Sequence, residues 1–341
     1  MSKTLCIEGY VENNLGDDLM FKNVIENTNY DEYIILGSKN GITYPIKKSN
    51  KMKFISKKQF KIMVLKDIFL KFKSKHIDLA YVGGSLFMDR GNGKVARGKQ
   101  RFSFFCWLVG IKTFVVGSNL GPIYNEDLYS KNILKFSKLV KNWSVRDQFS
   151  YDFLRGLGIK NAKMLPDIVF GTNVSDFEIK NDKKICISVV DYKDASKRYD
   201  DKNSENYYKD IIDWANYFNE NGYIINLLSF QNKADIPILN KLIEKIPFAD
   251  IVEYNGENIL KEIASSEYII ATRFHSAILG SLFDKKMVVY SYNNKTKNYL
   301  DSKNFKVLEF GEKKDINLFK KFEVKVSEIE STFEYAKRIE E

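Results

Sequence analysis

The sequence predicts an α/β protein of two doubly wound, parallel-sheet (Rossmann-like) domains facing a cleft. Three observations carry that reading. Short apolar runs alternate with longer helical patterns through most of the 341 residues. The runs are apolar on both faces, as expected of strands covered by helices on each side of a parallel sheet. The alternation breaks around residues 171–183, where Thr, Asn, Ser, Asp and Lys displace the apolar residues. A chain of this length also exceeds what one core usually organises.

Taken in order, strands are expected at 4–8, 32–36, 77–82, 112–116 and 143–145, with helices between most of them. A second series follows at 184–190, 223–229, 250–254, 268–271 and 286–291. This places an N-terminal domain over 1–172, a C-terminal domain over 183–310 and a helical tail over 311–341. In the tail, Ile329, Phe333, Ala336 and Ile339 recur at helical spacing over 327–341, which suits one helix packing back across the domain junction.

Hydrophobic residues at 44% and charged residues at 29% are those of a soluble globular chain. A net charge of +10 favours anionic partners, although lysines also serve simply as a solvated surface. Nucleic acid is not expected, because no recognised binding module accompanies the charge. Cys6, Cys106 and Cys186 lie far apart in apolar runs, fit no zinc spacing and read as buried free thiols in a reducing cytoplasm. The N-terminus enters a strand with no signal peptide, and no apolar run approaches a membrane span. The segment 47–75 carries lysines at 47, 48, 51, 53, 57, 58, 61, 66, 71, 73 and 75. Its apolar residues go nearly all round a helical wheel. Two readings stand: a core helix whose lysine stems reach outward, or docking of Lys47, Lys48, Lys51 and Lys53 on anionic lipid head groups.

The candidate functional residues sit at strand tips. Thr272-Arg273-Phe274-His275-Ser276 follows an apolar strand and opens a helix. Backbone N–H groups and the positive end of the helix dipole point outward there, which makes an anion site. After the first strand comes Asn13-Asn14-Leu15-Gly16-Asp17-Asp18, with a helix expected from about residue 19. Gly16 allows a tight turn, and Asp17 or Asp18 can be an N-cap. Gly83-Gly84 after the third strand permits close approach of a ligand or another backbone, and Gly117-Ser118-Asn119-Leu120-Gly121-Pro122 is small and polar at the next tip. Arg146 in Ser144-Val145-Arg146-Asp147 stands at a strand–helix junction, open to a salt bridge or to a ligand. Asp167 is placed to orient an arginine or to bond its own turn. The near P-loop Gly93-Lys94-Val95-Ala96-Arg97-Gly98-Lys99-Gln100 fails, since Gln100 stands where Ser or Thr would hold magnesium. No metal site is expected: His76 and His275 are the two histidines, and no cluster surrounds either.

In order and spacing these pieces resemble the polysaccharide pyruvyl transferase family. They are Asn14-Leu15-Gly16-Asp17, Gly83-Gly84, Gly117 through Pro122, Val145-Arg146-Asp147 with Ser150 and Leu154, Pro166-Asp167, and Arg273-Phe274-His275. Asn13 departs from the pattern, standing where the family often has glycine. The resemblance implies a fold similar to the two-domain glycosyltransferase B architecture. It implies transfer of a pyruvyl group from phosphoenolpyruvate to a sugar of a cell-surface polysaccharide or a lipid-linked precursor. Arg146, Arg273, Gly16, Gly83, Gly84, Ser118, Asn119 and Ser276 would then bind substrate. His275 would be a general acid or a phosphate-binding imidazolium, and Asp17 a base. No metal or cofactor would be needed, because arginines supply the positive charge. A cytoplasmic protein, peripheral at the inner face of the membrane, would suit a lipid-linked acceptor. A glycosyltransferase using a nucleotide sugar in the same architecture is the alternative.

Overall fold

The computed structural model describes residues 2–69, 75–89, 95–192, 201–291, 294–301 and 305–340. Lys71 and Lys73 of the basic run, and Gly93 and Lys94 of the near P-loop, lie outside them. The chain forms two compact units: Met1–Asn13, Asp17–Gly171 and Ser327–Glu341 make the first, and Asn14–Gly16 with Thr172–Val326 the second.

The first unit is built on β1 (Ser2–Glu8), β2 (Glu32–Leu36), β3 (Met52–Ile55), β4 (Lys75–Val82), β5 (Lys112–Ser118), β6 (Asn142–Val145) and β7 (Ala162–Met164). They form one sheet in the order β3-β2-β1-β4-β5-β6-β7, all parallel. Its helices are α1 (Leu15–Asn27), α2 (Lys57–Phe69), α3 (Arg97–Leu108), α4 (Glu126–Ser137) and α5 (Gln148–Gly156). The sheet centre is dry: Leu5, Cys6, Ile7, Leu79, Ala80, Tyr81 and Val82 are fully buried. Residues of β1 and β4 therefore drive folding of the unit by apolar burial. The chain winds outward from β1 to β3, then returns to β4 on the other side. This makes the carboxyl ends of β1 and β4 a topological switch point, where open α/β sheets hold ligands.

The second unit contains β8 (Asp182–Ser188), β9 (Ile224–Leu228), β10 (Asp250–Val252), β11 (Ser266–Ala271), β12 (Lys286–Val289) and β13 (Lys320–Lys321). Their order is β10-β9-β8-β11-β12-β13, with β13 alone antiparallel. The helices are α6 (Asp201–Glu220), α7 (Asn232–Ile243), α8 (Asn258–Ser265), α9 (Phe274–Leu282) and α10 (Asn294–Asp301). Here the switch point falls between β8 and β11.

Three strands, β3, β7 and β13, have no counterpart in the sequence reading. All sit at sheet edges or beside one, are short and carry lysine, so they lack the two-sided apolar signal. Instead of one terminal helix there are two, α11 (Val326–Thr332) and α12 (Glu334–Glu340). Phe333 lies at the break, against Gly171, where a Cβ would come within 2.8 Å of its ring. The tail divides before this point. Residues 311–326 stay with the second unit, where Gly311 N donates to Asp210 Oδ2 (2.9 Å) and Lys314 pairs with Asp210 (2.6 Å). From 327 onward it joins the first unit, with Arg338 Nη2 donating to Asn161 O (2.8 Å) and Tyr335 OH to Asn23 O (2.9 Å).

The core-helix reading of the basic segment holds for one face only. Phe60 and Val64 of α2 are buried, whereas Ile62, Leu65, Ile68 and Phe69 are exposed. Two lysines of the preceding stretch are engaged locally: Lys48 Nζ donates to Thr28 O (2.7 Å), and Lys53 pairs with Glu32 (2.8 Å). No described helix is long and apolar enough to cross a membrane.

All three cysteines are free and buried. Burial pushes the Cys106 and Cys186 thiols up to about 12, and Cys6 well above its ordinary 9.0. Each folded pKa lies above the unfolded one, so stability is unaffected below about pH 9 and falls as pH rises past it. Native protein should resist iodoacetamide at pH 8 and take up label at all three thiols in denaturant. Fast labelling of the native chain would contradict their burial.

Candidate functional site

In the first unit, the strand tips near the switch point are tied together through a buried arginine. Arg146 follows β6, and its side chain is 2% exposed. Its Nη1 pairs with Asp167, and its Nη2 donates to Asn119 Oδ1 (2.9 Å). Gly84 has to be glycine: a Cβ there would lie 2.2 Å from Arg146 Nη2. Ser118 Oγ donates to Gly83 O (2.7 Å), and Asn119 N donates to Gly84 O (2.8 Å). Arg146 N in turn donates to Ser118 O (3.2 Å). The tips of β4, β5 and β6 are thus one hydrogen-bonded block, with Asp167 closing it from the next loop. Asp147 caps α5, accepting from Ser150 N (2.8 Å) and Ser150 Oγ (2.9 Å). Arg146 faces this block, so its work here is to order the strand tips.

The loop after β1 differs in detail from expectation. The helix starts at Leu15, and the capping side chain is Asn14, whose Oδ1 accepts from Gly16 N (3.0 Å). Asp18 is fully buried, and its Oδ2 accepts from Thr43 N (2.7 Å) and Tyr44 N (3.2 Å), so it anchors a neighbouring loop. Asp17 is half-buried in the first turn of α1. Asn13 has φ 53°, a left-handed conformation that glycine adopts freely and asparagine tolerates. The departure from glycine at this position therefore leaves the turn intact.

In the second unit the site lies at the switch point itself. Ser188, at the end of β8, accepts through Oγ from Thr272 N (3.0 Å) and Arg273 N (3.3 Å). The same hydroxyl lies 2.6 Å from Ser276 Oγ, which donates to Arg273 O (2.6 Å). Tyr207 OH donates to Thr272 Oγ1 (3.1 Å), and burial raises the pKa of that phenol, which keeps it a donor. These bonds fix the turn from β11 into α9. Arg273 stands at the N-cap of α9, and its Nη2 pairs with Asp235, which is fully buried in the first turn of α7. Asp235 Oδ2 also accepts from Phe230 N (2.9 Å) and Gln231 N (3.0 Å). Arg273 is 18% exposed, against 2% for Arg146, so Arg273 is the arginine with surface to offer an anion.

His275, half-buried in the first turn of α9, packs edge-on against Phe274 at 5.4 Å. Asn14–Gly16 belongs to this unit, and Leu15 N donates to Phe230 O (2.9 Å). Gly16 meets the imidazole so closely that a Cβ would lie 1.7 Å from His275 Nδ1. The structure therefore brings Gly16, Arg273, His275 and Ser276 together, and separately groups Gly83, Gly84, Ser118, Asn119 and Arg146. Ser188 and Asp235 escaped sequence reading. Ser188 ends an apolar strand as one small polar residue, and Asp235 looks like any acid at a helix start. Among the described residues, no group of three or more His, Cys, Asp or Glu could hold a metal ion.

Two α/β units, each on a sheet whose strands are parallel except for β13, make up a glycosyltransferase-B-like fold. Solved structures of this kind are similar across nearly the whole chain. UDP-GlcNAc 2-epimerase from Methanocaldococcus jannaschii matches with TM-score 0.56 at 11% identity, covering 98% of each chain. The Neisseria meningitidis enzyme bound to UDP-GlcNAc gives 0.53 at 12%, covering 88% of this chain and 90% of that one. HepE from Anabaena, in complex with UDP-glucose, gives 0.54 at 10%, covering 99% and 92%. At these identities the likeness shows the fold alone. No curated protein matches in sequence. The model of the polysaccharide pyruvyl transferase family matches residues 14–294, and the chain belongs to that family.

Two substitutions test this geometry. Asp167→Ala should cost about 3–5 kcal/mol in denaturant unfolding, because it leaves the buried guanidinium of Arg146 uncompensated. Gly16→Ala would ordinarily stabilise a helix by about 0.5–1 kcal/mol. Here it should lower the melting temperature and any turnover, since the methyl must displace His275. A higher melting temperature with full turnover would contradict the close approach.

Proposed function

We propose that this family member transfers a pyruvyl group from phosphoenolpyruvate to two hydroxyls of one sugar, forming a ketal and releasing phosphate. The acceptor is a cell-surface polysaccharide or its lipid-linked precursor. Membership of the family supports the transferase class. The observation that carries the donor is the pairing of Arg273 and His275 at the N-terminus of α9, beside the β8/β11 switch point. Phosphoenolpyruvate brings a carboxylate and a phosphate, and a guanidinium fork matches either one bidentately. The positive end of α9 adds to that charge.

The reaction begins with a proton delivered to the methylene carbon of phosphoenolpyruvate, which leaves an oxocarbenium-like centre at C2. One sugar hydroxyl adds there and loses its proton. The C2–O bond to phosphate then breaks, and the second hydroxyl adds to the regenerated cation. Of the two hydroxyl protons lost, one balances the proton placed on the methyl carbon and the other leaves with phosphate. In this scheme His275 donates the first proton or binds the phosphate as imidazolium, and Asp17 accepts a hydroxyl proton. Ser276 and Gly16 shape the donor site. Gly83, Gly84, Ser118 and Asn119 are assigned to substrate binding, and Arg146 positions them.

Thermal-shift titration tests the reading, because a ligand that binds only the folded chain raises its melting temperature. Phosphoenolpyruvate should stabilise the wild type, and Arg273→Ala and His275→Ala should each lose that effect. Stabilisation by UDP, GDP, CMP or ADP alone would instead favour a glycosyltransferase using a nucleotide sugar.

A further inference from the structure

The outer faces of α2 and α3 carry a surface that the site chemistry does not use. The two helices are neighbours on one side of the first sheet: the Phe60 and Phe102 rings lie 5.7 Å apart, and Lys61 Nζ sits 5.2 Å from the Phe105 ring. Phe60 and Val64 face inward from α2, and Phe102 and Cys106 from α3. Opposite them, Ile62, Leu65 and Phe69 on α2 and Phe104, Trp107 and Leu108 on α3 are 44–86% exposed. On each helix these residues recur at three- and four-residue spacing, so each set forms a stripe. Phe104 and Trp107 stack at 5.8 Å. Scattered surface apolar residues need no explanation, but apolar stripes on two neighbouring helices mark an interaction site.

Charge decides the partner. The two helices hold seven basic residues against one acid, Asp67. Lys58 and Lys66 flank the apolar stripe of α2, and Arg97 and Arg101 precede that of α3, all four exposed. A second copy of the chain meeting this face about a two-fold axis would set cation against cation. An anionic bilayer satisfies both parts: acyl chains take the apolar tips, and head groups take the ammonium and guanidinium groups. We infer that α2 and α3 form a docking surface for an anionic lipid bilayer. It is a surface attachment, since no described helix could cross the membrane. It lies on the helices, away from the locally engaged Lys48 and Lys53.

Trp107 supplies a direct readout. Of the three tryptophans, Trp143 and Trp214 are fully buried and Trp107 is 58% exposed. Vesicles of phosphatidylglycerol should shift the emission of the full-length chain to shorter wavelength and sediment with it, while phosphatidylcholine vesicles do neither. Phe104→Ser with Leu108→Ser should abolish sedimentation, and Lys58→Glu with Arg101→Glu should weaken it at least about 25-fold, at roughly fivefold per cation lost. These positions are exposed, and circular dichroism would show that the variants remain folded. Sedimentation unchanged in both variants would overturn the inference. So would a blue shift that grows with protein concentration in the absence of lipid, which would identify the face as a self-association surface. The assay needs no donor or acceptor, so its outcome is independent of the pyruvyl-transfer reading.

Discussion

The pairing of a buried carboxylate with an arginine at the carboxyl ends of parallel strands is the interaction on which both constellations depend. Asp167 holds Arg146 in the first unit, and Asp235 holds Arg273 in the second. A guanidinium removed from water is costly unless it is paired and hydrogen-bonded. Its partners therefore constrain everything around it. Gly84 lacks a side chain because Arg146 occupies that space, and Asn119 turns its carbonyl oxygen to the same group. In the second unit Asp235 also accepts two backbone N–H groups, so one carboxylate sets the start of α7 and the direction of Arg273.

The two pairs differ in what they leave for a ligand. Arg146 is enclosed, and its energy goes into keeping three strand tips in register. Arg273 is enclosed on one side only, with surface still exposed beside the N-terminus of α9. Strand order explains why the exposed pair is where it is. Strand order in the second sheet reverses between the parallel neighbours β8 and β11, the kind of point at which open α/β sheets leave a crevice between two strand tips. The Ser188 hydroxyl bridges the gap and holds the turn into α9. Gly16, in the short stretch Asn14–Gly16 that belongs to the second unit, fits closely on His275 beside it.

Much of this was legible in the sequence, because apolar strands and small residues at their tips leave a local pattern. The central strands were found within a few residues, for example 32–36, which is β2 as observed. Edge strands such as Lys320–Lys321 were not found, because pairing on one side needs no apolar run. Arg273, His275 and Gly16 stood out through their neighbours in the chain. Asp235 did not, because its meaning comes from a residue 38 positions later. Asn14 was hidden in a similar way: the acids that follow it look like better caps, yet one is committed to a distant loop and the cap falls to the amide. The apolar face of α2 was visible as a composition, but only the packing shows which half is left in water.

The measurement that tests the central claim most directly is the affinity of phosphoenolpyruvate for Asp235→Asn, set by calorimetry against the wild type. Asparagine can still accept from Phe230 N and Gln231 N through its oxygen, while its amide NH2 replaces the oxygen that accepts from Arg273, so the charge and that one hydrogen bond are lost together. The account predicts at least a tenfold loss of affinity in a chain whose circular dichroism is unchanged. Equal or tighter binding would show that Arg273 needs no carboxylate to meet the anion, and would contradict the account.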